Sequence, residues 1–290
     1  MAAIYNGFVN LLIITLLFIS CQKPNSALSN KELPQKDMMD VSYGTNASQV
    51  MDVYLPAGRH TANTKVLLFI HGGSWSGGDK SDFDSAIASI RKSLTDYAIF
   101  NINYRLAANG LNRFPAQMED IQSDINFIES NAGNYKINTS KVVLIGASAG
   151  AHLALLQAYK NNSNGKVKAV IDLFGPTDLT SLYNNHPIPA ASQPVLVNFL
   201  GATPVTNAAL YQQASPINFI NTQTVPTLIF HGEADYIVPI SQSSTLKTKL
   251  EAAGVKVSMI TYPVEGHGWY GASLADTIEK TIAFIKQNVK

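Results

Sequence analysis

Seven short apolar runs punctuate this chain, and the segments between them carry helical periodicity. KVLLFIHGG (65–73), VVLIG (142–146), VKAVIDLFG (167–175) and PTLIFHG (226–232) are nearly continuous in apolar residues. A strand with one face in water would alternate, so these predict strands covered on both faces. MDVYLP (51–56), AIFNINY (98–104) and VKVSMITYP (255–263) complete the set. Helical patterns fall between them, at Ser81–Leu94, after Pro115, at 154–160, at Ser241–Ala253 and at Ala272–Gln287. In the second, Met118, Ile121, Ile125 and Ile128 recur at three- and four-residue spacing, with Gly133 as the expected stop. Repeated β-α succession dictates an α/β fold, a mostly parallel sheet with helices on both faces. A hydrophobic content of 46% over 290 residues suffices to fill such a core.

Two stretches break the rhythm. From Leu179 to Pro216 there are five prolines and several Asn and Gln, too long for a routine connection. A cap or lid insertion is expected over 179–216, since long loops are often functional. At the N-terminus, Phe8–Ser20 is almost wholly apolar, too short to span a bilayer but suited to the core of a secretory signal. Cys21, the only cysteine, follows directly, as in a bacterial lipoprotein signal, although Met1–Gly7 carries no Lys or Arg. We therefore expect a signal over 1–21 with lipidation at Cys21, a flexible tether over 22–40 and a folded domain over 41–290. Export follows, to a membrane-anchored lipoprotein or else a secreted chain.

The chemistry concentrates at turns after strands. GASAG (146–150) follows VVLI and precedes a helical pattern, the strand–turn–helix context in which G-x-S-x-G lifts a serine hydroxyl clear of a sheet. Ser148 is the candidate nucleophile, and it needs a base to accept its proton. His267, between glycines in EGHGW after the last apolar strand, is the best placed. His152 lies one turn beyond Ser148 on the elbow helix, His71 belongs to the HGG turn, His60 and His186 to polar loops, and His231 ends a strand. A carboxylate must hold the base's tautomer. Asp235 gives the order Ser148…Asp235…His267, while Asp178, also after a strand, is the serious rival, and Asp172 and Glu233 are weaker ones. HGGSW (71–75) offers backbone N–H groups of Gly72 and Gly73 for an oxyanion, with Ala149 N–H as the third donor. Trp75 and Trp269 flank these turns and are candidates for a substrate pocket, with Tyr270 beside them. Arg105 with Glu119, Asp120 and Asp124 reads either as ion pairs or, more simply, as a solvated helix face.

A net charge of +1, with only 14% charged residues, leaves no basic patch for nucleic acid. The ordered set DVYLP, HGGSW, GDK, NYRL, FPAQMEDI, GASAGAHLA, FGPTDL, ASPI, PTLIFHGEAD, VP and GHG resembles the HGG-motif carboxylesterases of the α/β-hydrolase fold. Within them it is most similar to the bifunctional acetylxylan/feruloyl esterase-like hydrolases, from about Asp52 to the C-terminus. The resemblance implies an eight-stranded, mostly parallel sheet, a triad of Ser148, Asp235 and His267, and an acyl-enzyme mechanism needing no cofactor and no metal. It implies a serine carboxylesterase for short-acyl or feruloyl esters, and export suits esters on plant cell-wall glycans. The expected partner is a small-molecule or glycan ester, with membrane contact only through lipid at Cys21. The alternatives are an arylformamidase-type amide hydrolase and a non-catalytic binding protein of the same fold.

Overall fold

The computed structural model describes residues 1–3 and 32–290. The signal expected over 1–21, its Cys21 and the first part of the tether lie outside the described residues. The strands are β1 (Lys36–Ser42), β2 (Val50–Leu55), β3 (Lys65–Ile70), β4 (Tyr97–Ile102), β5 (Val142–Ala147), β6 (Val167–Leu173), β7 (Thr227–Gly232) and β8 (Val257–Tyr262). The helices are α1 (Asp84–Ser93), α2 (Ala116–Ser130), α3 (Ala132–Tyr135), α4 (Ala149–Lys160), α5 (Leu179–Asn185), α6 (Pro189–Leu200), α7 (Ala208–Gln213), α8 (Ser241–Ala252) and α9 (Gly271–Asn288). Among the described residues no helix is long and apolar enough to cross a membrane.

One eight-stranded sheet runs in the order β1-β2-β4-β3-β5-β6-β7-β8. Pairing is antiparallel at β1–β2 and β2–β4 and parallel everywhere else, so β2 alone runs against the rest. The continuous apolar runs have the cause expected of them. Along β3, Val66, Leu68 and Ile70 join the core on one face, with Met118, Ile121 and Ile128 of α2 and Leu153, Leu155 and Leu156 of α4. Leu67 and Phe69 join the other core, with Ile87 and Ile90 of α1 and Phe284 and Ile285 of α9. Residues 149–159 of α4 are buried all round, as befits a helix enclosed on every side.

Three expectations are corrected. Strand β1 occupies Lys36–Ser42, inside the tether expected over 22–40, and the folded chain therefore begins earlier than residue 41. It is held by the ladder to β2 rather than by burial, and most of its side chains face water, so no apolar run marks it. Gly133 does not stop α2, which ends at Ser130; the left-handed position falls at Lys136, φ 57°, after the short α3. The acidic face of α2 is solvated only at Glu119: Asp120 and Asp124 are fully buried. Asp120 accepts from Arg105 Nε (2.8 Å) and from Gln49 Nε2 (2.7 Å).

Among the described residues Asp124 has no hydrogen-bond partner on either oxygen, and burial pushes its carboxyl well above the usual carboxylate range. The folded state therefore keeps a proton that the unfolded chain releases above about pH 4. Rising pH thus favours unfolding at this site. Asp124→Leu is expected to raise the urea midpoint, and the gap over wild type is expected to widen from pH 4 upward. Parallel urea titrations across pH check this, and a gap independent of pH would contradict it.

Candidate active site

Strand β5 ends at Ala147 and α4 begins at Ala149, so the chain turns at a single residue, Ser148. Its backbone sits at φ 52°, ψ −119°, a sparsely populated region whose strain is about 1–3 kcal/mol for a residue with a Cβ. The turn is pinned on both sides: Ser148 N–H donates to Leu173 O (2.8 Å) and Ser148 O accepts from His152 N–H (3.0 Å). The flanking glycines are required by close approach. A Cβ on Gly150 would stand 2.0 Å from Ile70 O, and one on Gly146 would stand 2.3 Å from Gly150 O. The sheet thus lets the elbow crowd against the end of β3 and leaves the serine hydroxyl facing out.

His267 lies in the loop between β8 and α9, where Gly268 takes φ 104°. Its Nδ1–H donates to Asp235 Oδ2 (2.7 Å), and its Nε2 accepts from Ser148 Oγ–H (2.8 Å). A carboxylate can only accept, so this pairing fixes the tautomer. The other Asp235 oxygen accepts from the N–H groups of Ile237 (2.8 Å) and Val238 (2.9 Å). Burial by itself would raise the Asp235 carboxyl, but hydrogen bonding to His231 and His267 outweighs it and holds the group well below the usual carboxylate range. The arrangement can transfer a proton from the hydroxyl to His267 while a fixed negative charge stabilises the imidazolium.

The HGG turn runs against this elbow. A Cβ on Gly72 would meet Ala147 O at 3.0 Å and Ser148 Cβ at 3.3 Å. Gly73, Ser74 and Trp75 then take φ values of 102°, 55° and 58° in succession. The turn is braced by Tyr104, whose hydroxyl donates to His71 O (2.9 Å) and whose ring stacks on His71 at 4.4 Å. Gly77 N–H donates to Gly73 O (2.8 Å). Among the described residues, the N–H groups of Gly72, Gly73 and Ala149 donate to no protein acceptor. Gly72 and Gly73 line one hollow with Ser148, and Ala149 lines a second one with it. These are the free donors that a developing oxyanion needs.

The competing residues are spoken for. Asp178 caps α5 by accepting from Ser181 N–H (2.9 Å), Glu233 accepts from Thr261 Oγ1 (2.7 Å), and Asp172 accepts from Gly175 N–H (2.8 Å). Burial pushes Asp172 up to about 7, with that N–H and nearby His231 pulling the other way. His152 is buried, its Nε2–H donating to Ala214 O (2.6 Å) and its Nδ1 accepting from Trp75 Nε1–H (3.2 Å). Desolvation lowers it to about 4. His71 and His60 bond to local backbone, while His186 accepts from Ile188 N–H (2.9 Å) and donates to Ile237 O (3.2 Å). His231, which the sequence reading passed over, stands behind Asp235: its Nε2 lies 3.4 Å from Oδ2 while donating to Val238 O (2.8 Å). Its i,i+4 spacing from Asp235 after a strand was the available signal.

Trp75 lines the small hollow beside Ser148, stacked on Phe199 at 4.1 Å. Trp269 lines neither of the hollows that include Ser148. Its Nε1–H donates to Thr277 Oγ1 (2.8 Å), and Phe174 stands between it and His267, at 5.1 Å and 4.8 Å. It lines an apolar cavity of about 200 Å³ between α1 and α9 that shares Phe83, Ala147 and Phe174 with the hollow at Ser148. Tyr270 is exposed. The insertion expected over 179–216 forms α5, α6 and α7 and roofs the site through Leu182 and Leu196. Among the described residues no group of three or more His, Cys, Asp and Glu side chains is placed to hold a metal ion.

Comparison with known proteins agrees with this architecture. Over 267 residues the chain is 26% identical to Esterase LipC of Mycobacterium tuberculosis, covering 85% of this chain and 64% of that one. The chain thus spans a little under two thirds of that relative's length. Among solved structures, a bifunctional GH43-CE of Bacteroides eggerthii superposes with TM-score 0.74 at 29% identity, covering 87% of this chain and 35% of that one. A truncated carbohydrate esterase from gut microbiota superposes with TM-score 0.75 at 26% identity, covering 89% and 97%. The BD-FAE family model matches residues 51–250, the span that holds the HGG turn, the serine elbow, the cap and Asp235. The chain belongs to the BD-FAE family of α/β-hydrolases.

Proposed function

We propose that this protein is a serine carboxylesterase working through an acyl-enzyme. The observation that carries the reading is the line from Ser148 Oγ through His267 to Asp235, at 2.8 and 2.7 Å, beside unengaged N–H groups of Gly73 and Ala149. His267 Nε2 takes the hydroxyl proton as Ser148 Oγ attacks the ester carbonyl carbon. The carbonyl oxygen becomes an oxyanion held by Gly73 and Ala149, with Gly72 adjacent, each donor worth about 3 kcal/mol in the transition state. The bond to the alcohol oxygen breaks, and His267 returns the proton to that oxygen. Water then repeats the sequence on the acyl-enzyme, releasing the acid and restoring Ser148. Asp235 keeps the imidazole oriented and remains ionised throughout.

Acyl esters of glycans are the substrates that the relatives favour, through the GH43-CE and carbohydrate esterase likenesses. Short-acyl and feruloyl groups both enter this reading. The apolar run before Cys21 supports export of the enzyme and lipid anchoring at that cysteine. Such placement would suit work on polymer fragments outside the cytoplasm.

Release of p-nitrophenol from p-nitrophenyl acetate tests the chemistry. Ser148→Ala is expected to lower kcat by about 10⁶ and Asp235→Asn by about 10⁴, with the fold unchanged by circular dichroism. Equal rates for wild type and Ser148→Ala would overturn the reading. In a bacterial expression host, Cys21→Ala is expected to move the protein from the membrane fraction to the soluble exported fraction. An unaltered distribution would remove the lipid anchor from the account.

A further inference from the structure

The hollow that His267 lines beside Ser148 does not stand alone. Its walls Asp82, Phe83, Ala147 and Phe174 are also walls of the apolar cavity between α1 and α9. Four other walls of that cavity, Phe69, Ile90, Ile145 and Ile171, belong to the buried core, and α9 adds Leu274 and Ile278. Resting on the esterase reading, we infer that this cavity seats an apolar group on the alcohol side of the ester. Neutral esters of alkyl and arylalkyl alcohols thereby form a second substrate class beside glycan esters.

Proton transfer sets which part of the ester reaches the cavity. The departing alcohol oxygen takes its proton from His267 Nε2, so the first atoms of the alcohol lie against the imidazole. Phe174 stands at the same place, its ring centroid 4.8 Å from that of His267 and 5.1 Å from that of Trp269 on the cavity wall. The backbone of Phe174 is pinned to the sheet, its N–H donating to Phe230 O (2.8 Å). An alcohol group that follows Phe174 away from His267 therefore enters the cavity.

The walls choose an apolar occupant over a sugar. Sugar hydroxyls that leave water must find new hydrogen bonds, and each one left unmade weakens binding. Here the polar groups of the wall already serve one another: Trp269 Nε1–H donates to Thr277 Oγ1 (2.8 Å), and Thr277 Oγ1–H donates to Ser273 O (2.8 Å). Thr281 adds one more buried hydroxyl, while Asp82, Ser85 and Tyr270 are exposed. Charge selects further. Among the described residues no Lys or Arg lines the cavity or the adjoining hollow. The Asp82 carboxylate borders both, accepting from Asp79 N–H (3.2 Å). An anionic group on the alcohol would face that carboxylate and shed its water without gaining a partner. The occupant is therefore neutral as well as apolar.

The test is kcat/KM for ethyl, benzyl and 4-carboxybenzyl acetate, read as acid release in a pH-stat, with the acyl group held constant. Wild type is expected to favour benzyl acetate over each of the other two by at least about tenfold. Ile278→Trp, which fills the cavity from α9, is expected to lower the benzyl-to-ethyl ratio by about tenfold. Leu274→Trp gives the same readout should the first variant fail to fold. Benzyl acetate no better than either of the others, or a benzyl-to-ethyl ratio unmoved in folded variants, would overturn the assignment. Turnover of p-nitrophenyl acetate would in that case leave the esterase reading intact. Variants that lower the butyrate-to-acetate ratio of p-nitrophenyl esters, with the benzyl-to-ethyl ratio unmoved, would give the cavity to the acyl chain and overturn it equally. Folded protein that hydrolyses none of these esters would sink both.

Discussion

The side-by-side pairing of β3 with β5 is the contact on which the site depends. Ile70 lies opposite Gly146 in that ladder, so the HGG turn and the serine elbow leave the sheet at the same edge. Their neighbours fall on opposite sides, β4 beyond β3 and β6 beyond β5. The connections therefore diverge here, which opens the crevice in which ligands of open α/β sheets bind. The glycines of the elbow answer to the same contact. Gly150 is small because the carbonyl of Ile70 already occupies the place of its Cβ. The candidate oxyanion donors and candidate nucleophile are thereby registered by backbone hydrogen bonds rather than by side chains.

Beyond the crevice, β7 and β8 pair in parallel and deliver Asp235 and His267 from adjacent strand ends. Gly232, at the end of β7, permits the Glu265–Gly266 backbone to pass where a Cβ would stand 2.3 Å from both carbonyl oxygens. Ala234 N–H donates to Glu265 O (3.0 Å), joining the two loops. Asp235 and His267 are thus held by one backbone seam, as Ser148 and the HGG turn are by another. Beneath them lies a buried polar layer of His231, Asp172 and Ser243, with Ser243 Oγ–H donating to His231 Nδ1 (2.7 Å). That bond leaves His231 Nε2–H to face Asp235 and Val238, which fixes the orientation of the carboxylate from behind.

Where burial writes the pattern, the sequence is legible. Strands β3, β5, β6 and β7 are enclosed on both faces, so their side chains are nearly all apolar, with Lys168 and Asp172 of β6 and His231 of β7 among the exceptions. The grouping of Ser148, His267 and Asp235 was legible for a different reason: each follows a strand end and carries glycine close by, because close backbone approach is what the candidate site demands. Strand β1 was hidden since its stability comes from hydrogen bonds to β2, which any residue can make. Asp124 was misjudged as solvated because nothing in its own type announces a buried, unpaired carboxyl. Trp269 was singled out by nearness in sequence to His267, and its ring packs on Phe174 and Tyr262, in a cavity adjoining the hollow at Ser148. The cap over 179–216 was expected as an insertion, but its individual helices were not, since prolines 187, 189, 194, 204 and 216 mask their short periods.

The cap is fastened by its far end. Phe114 N–H donates to Phe199 O (2.9 Å), and Asn198 Nδ2–H donates to Ala107 O (2.8 Å). The anchoring segment is continuous with Tyr104, which braces the HGG turn, and Ala107 N–H also donates to Trp75 O (2.8 Å). Roof and donor turn are therefore parts of one mechanical body, although about ninety residues separate Ala107 from Asn198 in the chain. A cap transplanted from a relative would carry its shape but not its footing. Exchange of specificity between such enzymes must move the 104–116 loop and the roof together, as a two-piece cassette.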